Sequence, residues 1–143
     1  MDEHNVQAMH RRIQASFDRQ GMMTTLQAQL QSVSRGQVVI SAPMLSATSQ
    51  QHGAAHAALT FALGDSAAGY SALTLMPEES EVMTAEIKIN LLAPATGERL
   101  RATGRVIKPG RRLMVVSAEV HAIDAGTETL VAVLMGTMVP VSP

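Results

Sequence analysis

The chain contains no cysteine, no tryptophan, one tyrosine and two phenylalanines among its 143 residues. Without cysteine there is no disulfide, no thiolate chemistry and no cysteine-based zinc site. With so few rings, aliphatic residues and the ten methionines must fill the interior, and methionine makes an apolar pocket soft and adaptable. Charge is also sparse. Charged residues are 16% of the chain and the net charge is −1, so nothing general favours nucleic acid or an anionic membrane. The five histidines, at positions 4, 10, 52, 56 and 121, lack the HxxxH or HExxH spacing of a metal site. The GxSxG elbow of serine esterases is missing as well. The start, MDEHNVQAMHRR, has no apolar secretory core, and a cytoplasmic location is the default expectation. There is no internal repeat, linker or low-complexity tract. The length and a hydrophobic content of 46% lead us to expect one globular domain over residues 1–143.

One absence has a single exception. Between Arg35 and Glu78 the only charged side chain is Asp65, in the stretch HAALTFALGDSAAGY. The surrounding AAHAALTFALGDSAAGYSALTLM is long enough to span a bilayer. A central carboxylate there would cost roughly 2.5–3.5 kcal/mol, and no Lys or Arg lies between Arg35 and Lys88 to flank it. A helix from about 55 to 75, buried in a soluble protein, is the expectation. It is apolar nearly all round, so other elements must wrap it.

Hydrophobic spacing organises the remainder. Val6, Met9, Ile13 and Phe17 predict an amphipathic helix over about 4–19, ended by Gly21. TTLQAQLQSV alternates, with Leu26, Ala28 and Leu30 opposite Gln27, Gln29 and Gln31, as in a half-buried strand. SRGQ turns it into VVISAPM. After a polar loop and the long helix come four strands. VMTAEIKINLLAP sets Met83, Ala85, Ile87, Ile89 and Leu91 against Thr84, Glu86, Lys88 and Asn90. ERLRATGRVI sets Leu100, Ala102 and Val106 against three arginines. KPGRR and DAGTE are tight turns between the strands that follow. The pattern predicts an α+β fold, a curved antiparallel sheet wrapped around one long central helix.

Four stretches, FDRQGMM at 17–23, QQHGAAHAALTFALGDSAAGY at 50–70, EIKINLLAPATGERL at 86–100 and GRRLMVVSAEV at 110–120, make the chain similar to the hotdog-fold acyl-CoA thioesterases of the PaaI group. The likeness runs in order along nearly the whole chain, and the 50–70 block is its most specific part. The resemblance implies hydrolysis of a short- or medium-chain or aryl acyl-CoA. Asp65 would be general base or nucleophile, and the backbone N–H of Ala57, with that of Ala58, would receive the oxyanion. His56 would orient the loop or substrate, and Gln50 would hold the attacking water. Thr84 and Asn90 would face the substrate. The family usually has glycine at one or both positions after the motif histidine, where this chain has Ala57 and Ala58; their Cβ atoms narrow the approach of a substrate.

The residues support parts of this on their own. A buried carboxylate without a partner is costly and is seldom kept without a purpose. A helix start offers N–H groups that lack intrahelical partners. His56 and Asp65 lie nine residues apart, roughly 13.5 Å along a helix and about half a turn around it, so they cannot meet within one helix. Two copies of the chain, paired antiparallel about a two-fold axis, could bring them together. The family implies such a homodimer, as well as a dimer of dimers. Arg111 and Arg112, in the KPGRR turn, could hold the phosphates of coenzyme A, which is part of the substrate; no separate cofactor is expected. A solvated hairpin tip explains them equally simply. Two further readings are a non-catalytic acyl-CoA binder and a hotdog dehydratase or hydratase.

Overall fold

The structure is a computed structural model that describes residues 2–143, so Met1 of the expected domain lies outside the described residues. The chain runs α1 (Glu3–Asp18), α2 (Gly21–Thr25), β1 (Gln29–Ser34), β2 (Gln37–Pro43), α3 (Ala57–Leu73), β3 (Glu81–Leu91), β4 (Arg99–Lys108), β5 (Met114–Asp124) and β6 (Thr127–Val141). A single 3-10 turn at Ser46–Thr48 interrupts the loop before α3. The six strands form one antiparallel sheet in the order β1-β2-β4-β5-β6-β3. The expected α+β arrangement is present, with α3 lying on the inner face of the sheet.

The core follows from alternation. Leu100 and Ala102 of β4, Val116, Ala118, Val120 and Ala122 of β5, and Ala132, Leu134 and Met138 of β6 are buried against α3. The helix contributes Leu59, Leu63, Ala67, Ala68, Ala72 and Leu73. Its small residues let the sheet come close. A Cβ on Gly104 would lie 2.2 Å from the carbonyl of Ala67, so β4 meets the helix backbone at a point only glycine permits. No helix among the described residues is long and apolar enough to cross a membrane.

The C-terminal end of α3 is tied down from two sides. Arg12 of α1 donates to the carbonyl of Leu73, the last residue of α3, and to those of Met76, Pro77 and Ser80 in the segment that follows, at 2.6 to 3.3 Å. Thr74 Oγ1 accepts from the N–H of Gly36 in the β1–β2 turn, at 2.8 Å. That turn needs Gly36, whose φ is +75°.

Three sequence expectations change. Gly21 does not end α1, which stops at Asp18; it opens the short helix α2, after Gln20. Consequently Thr24 and Thr25 are helical, Gln27 turns the chain with φ +55°, and β1 begins only at Gln29. Alternation over 24–28 was misleading because five residues without tertiary context fit either period. On α1 only Ile13 and Phe17 of the apolar stripe are buried, and Val6 stays exposed. The third change concerns β3. Thr84 pairs with Met138 and Glu86 with Thr137, so Ala85 is an extra residue, a β-bulge. The bulge reverses the alternation. Val82 and Thr84 face inward before it, Ile87 and Ile89 after it, and Met83 faces outward, 57% exposed.

Candidate functional site

Asp65 sits half-buried on the one side of α3 that the sheet leaves uncovered. Residues 57, 58, 61, 62, 65 and 66 form this strip, the spacing of a single helical face. The carboxylate has a partner within the chain: Thr84 Oγ1 donates to Asp65 Oδ1 at 2.7 Å and lies 3.3 Å from Met138 Sδ. Were Ala85 kept in a regular ladder in phase with Ile87 and Ile89 instead of bulging, the threonine would face away. One carboxylate oxygen is therefore held, while the other has no partner among the described residues.

Two hollows flank Asp65. Toward the helix start lies an apolar groove of 540 Å³, lined by Met22, Met23, Phe61, Ala62 and Ile89, which reaches Ala57 and Ala58. Toward the helix end lies a smaller cleft of 260 Å³ with polar walls: Ser16, Gln20, Tyr70 and Thr84. Tyr70 Oη accepts from Gln20 Nε2 at 2.7 Å and is 3.1 Å from Ser16 Oγ. Its ring is buried beside Phe17, with centroids 6.2 Å apart. Sequence reading overlooked this trio. The available signal was a lone tyrosine in an otherwise small and apolar helix, because a buried phenol seeks a hydrogen-bond partner.

The helix start is arranged differently from the expectation. His56 is the N-cap of α3, and its Nδ1 accepts the N–H of Ala58 at 2.9 Å. Accepting there leaves Nε2 as the N–H of a neutral ring. The Ala58 donor is thus occupied within the chain. The Ala57 N–H, exposed at the positive end of the helix, has no partner among the described residues, which makes it the one free donor of the pair.

Gln50, His56 and Ala57 border a third hollow of 590 Å³, together with Leu91, Leu92 and Pro94. Gln50 is engaged locally. Its side-chain carbonyl accepts the N–H of His52, and its backbone pairs with Ala54. Hence Asp65 and Thr84 are brought together, and Gln50, His56 and Ala57 are brought together, but the two sets are not. They are separated along α3 by eight residues, about 12 Å of helix. Asn90 pairs with Val133 on the outer, exposed face of β3, opposite to the face that carries Thr84 and Ile89. Arg111 and Arg112 lie exposed in the β4–β5 turn, with no ion pair among the described residues. That turn is at the same end of the sheet as Thr84, since Met114 pairs with Met138 and Met138 with Thr84. The described residues hold no cluster of three or more His, Asp or Glu suited to a metal ion.

Comparison with known proteins gives a consistent result. The family model of the thioesterase superfamily matches residues 52–129. A thioesterase family protein from Silicibacter pomeroyi has a solved structure with a TM-score of 0.92 and 38% identity, covering 94% of this chain and 99% of that one. The E. coli PaaI protein of the phenylacetic acid degradation operon shares the fold at a TM-score of 0.85 and 18% identity, covering 96% of each chain. A Saccharolobus solfataricus protein named as an esterase is 37% identical over 87 residues. That stretch is 61% of this chain and only 55% of the relative's length.

Proposed function

The chain belongs to the thioesterase superfamily, and on that premise we propose that it hydrolyses an acyl-CoA thioester to the free acid and coenzyme A, in a site shared by two subunits. The observation that carries this reading is the bond from Thr84 to Asp65 on the only uncovered face of an enclosed helix. A carboxylate held at one oxygen keeps the other for chemistry. As general base, Asp65 takes a proton from water while the water oxygen adds to the thioester carbonyl; the thiolate then leaves and is protonated. As nucleophile, Asp65 adds to the carbonyl and expels the thiolate, which is protonated; water then cleaves the mixed anhydride to the free acid and the regenerated carboxylate. In either route the developing oxyanion needs a donor, and the Ala57 N–H is suited to the task.

The donor belongs to the second copy. Asp65 and Ala57 of one chain are too far apart along α3 to act on one carbonyl. An antiparallel pairing of two α3 helices brings the partner copy's helix start to Asp65. Two features support such a pairing. β3 is an 11-residue strand at the edge of the sheet with one side unpaired. The uncovered strip of α3 carries Ala57, Ala58, Phe61 and Ala62, a poor surface to leave in water. Gln50 and His56 would then come from the copy that supplies Ala57, and Arg111 and Arg112 would meet the phosphates of the substrate. Further pairing of dimers, and a cytosolic setting, belong to the same proposal.

Complementation tests the shared site. Asp65→Ala and a double change at Gln50 and His56 should each abolish thiol release. Mixed under conditions of subunit exchange, they place every lesion in one cleft and none in the other. Activity should reappear in heterodimers verified by mass spectrometry. Verified heterodimers without activity would put each site within one chain. A wild-type protein that binds acyl-CoA but releases no thiol from any of a broad panel would instead be a binder, the reading that the capped Ala58 N–H favours.

A further inference from the structure

Three residues, Gln20, Asp65 and Ser66, border both the apolar groove and the polar cleft beside the carboxylate. Of the three only Gln20 comes from outside α3. It is the N-cap of α2, yet its side chain makes no capping bond there. Its Nε2 donates to Tyr70 Oη instead, at 2.7 Å. That phenol is buried, its ring packs beside Phe17, and its oxygen lies 3.1 Å from Ser16 Oγ. A carboxamide has one donor end and one acceptor end. With the donor end committed to Tyr70, the acceptor Oε1 has no partner among the described residues. Gln20 thus offers a free acceptor along the same border where Asp65 keeps its unpartnered oxygen.

Water that attacks a carbonyl has two O–H groups to place. One points at the base, and the other needs an acceptor, without which the molecule turns freely about the first bond. The family resemblance assigns the water to Gln50. In the structure the side-chain carbonyl of Gln50 accepts the N–H of His52, so that acceptor is taken. The cleft beyond Asp65 suits water. Ser16, Glu81 and Thr84 are among its lining residues, and the side chain of Glu81 is 46% exposed, so the cleft reaches solvent. Thr84 holds Asp65 Oδ1 from the β3 side. A water that donates to the other carboxylate oxygen finds its second acceptor in Gln20, across the shared border of the two hollows.

We propose that Gln20, oriented by Tyr70, is the residue that positions the attacking water, which donates one O–H to the free oxygen of Asp65 and the other to Gln20 Oε1. The inference rests on the proposed hydrolysis and takes its general-base route. The water oxygen bonds to the thioester carbon while the first proton passes to Asp65; the C–S bond then breaks, and the thiolate receives that proton. Gln20 exchanges no proton and only holds the second O–H. The arrangement discriminates between nucleophiles. Methanol has a single O–H, which it can donate to Asp65, and nothing is left for Gln20. The carboxamide therefore assists water and gives methanol no help.

Product partition tests this. Wild type, Gln20→Met and Tyr70→Phe are given the best acyl-CoA of a panel in buffer containing a fixed fraction of methanol. Enzyme-dependent free acid and methyl ester are quantified by mass spectrometry. Gln20→Met keeps the length of the side chain and loses the acceptor. Acid formation should fall about tenfold with KM little changed while ester formation holds, so the ratio of ester to acid rises by the same factor. Tyr70→Phe keeps the carboxamide but frees it to turn. It should raise the ratio by a smaller factor, and it decides the matter if Gln20→Met does not fold. A ratio that fails to rise overturns the inference, whether acid and ester fall together or neither changes. That result leaves the acyl-CoA reading standing, since wild type still releases thiol. A wild type that releases no thiol from any substrate of the panel rejects that reading and this inference with it.

Discussion

Thr84 Oγ1 lies 2.7 Å from Asp65 Oδ1, a bond that joins the edge strand β3 to the middle of α3 across 19 positions of sequence. It fixes the orientation of the carboxylate through one of its two oxygens. Thr84→Val keeps the shape and removes the donor. A hydrogen bond to a charged group contributes about 1.5–3 kcal/mol, so kcat should fall roughly ten- to a hundredfold with KM little changed. Thr84→Ser should retain most activity. Steady-state kinetics on the best substrate of a panel will check both.

His56 is expected to act on the helix more than on the substrate. Loss of an N-cap typically costs about 1 kcal/mol. His56→Ala should lower stability by that amount in urea denaturation, and His56→Asn should restore it. Activity that follows stability across these variants indicates a cap, whereas activity lost in His56→Asn at full stability indicates contact with substrate.

Gly104→Ala should be among the most damaging single changes in the chain. The new Cβ would press on the backbone of α3, which has no rotamer with which to yield. A loss of about 3 kcal/mol or more is expected. Gly64→Ala offers a comparison, because its Cβ meets the mobile end of Leu134 at 2.7 Å. Thermal unfolding of the two should rank Gly104→Ala well below Gly64→Ala.

Arg111 and Arg112 divide recognition of the nucleotide from chemistry. If they hold phosphates, Arg111→Glu with Arg112→Glu should raise KM for acyl-CoA about tenfold or more. A truncated thioester lacking the nucleotide should be hydrolysed as before. Equal KM values for the two substrates in variant and wild type would leave the turn as solvated surface.

The sheet and the long helix were legible because their patterns are strong. Leu100, Ala102, Val116, Val120 and Ala122 alternate as an inner face must, and the Ala-rich helix is buried on the sides that the sheet covers. The DAGTE hairpin was legible from its turn residues, and Ala125 and Gly126 both adopt positive φ. What stayed hidden depended on a single residue or on distant partners. Nothing in VMTAEIKIN announces a bulge at Ala85, so Thr84 was assigned to the face of Asn90 when it shares the face of Ile89. Nothing in the helix start announces that the ring of His56 would take the Ala58 N–H, because that bond depends on a rotamer. Gln20 and Tyr70 are 50 positions apart, beyond the reach of any local pattern.

The bulge carries a lesson about chain length. The strand on either side of Ala85 has opposite parity: even-numbered residues face inward before it, odd-numbered ones after. Excising Ala85 would bring both halves into one phase, with Thr84 still opposite Met138 and Glu86 still opposite Thr137. A one-residue deletion, ordinarily ruinous inside a strand because it turns every later side chain over, is at this position nearly silent. Inserting a residue elsewhere in β3 has no such refuge. Lineages descended from a common ancestor can thus differ by one codon here while the partner of the carboxylate stays where it is, and an alignment gap at this point marks continuity of the site.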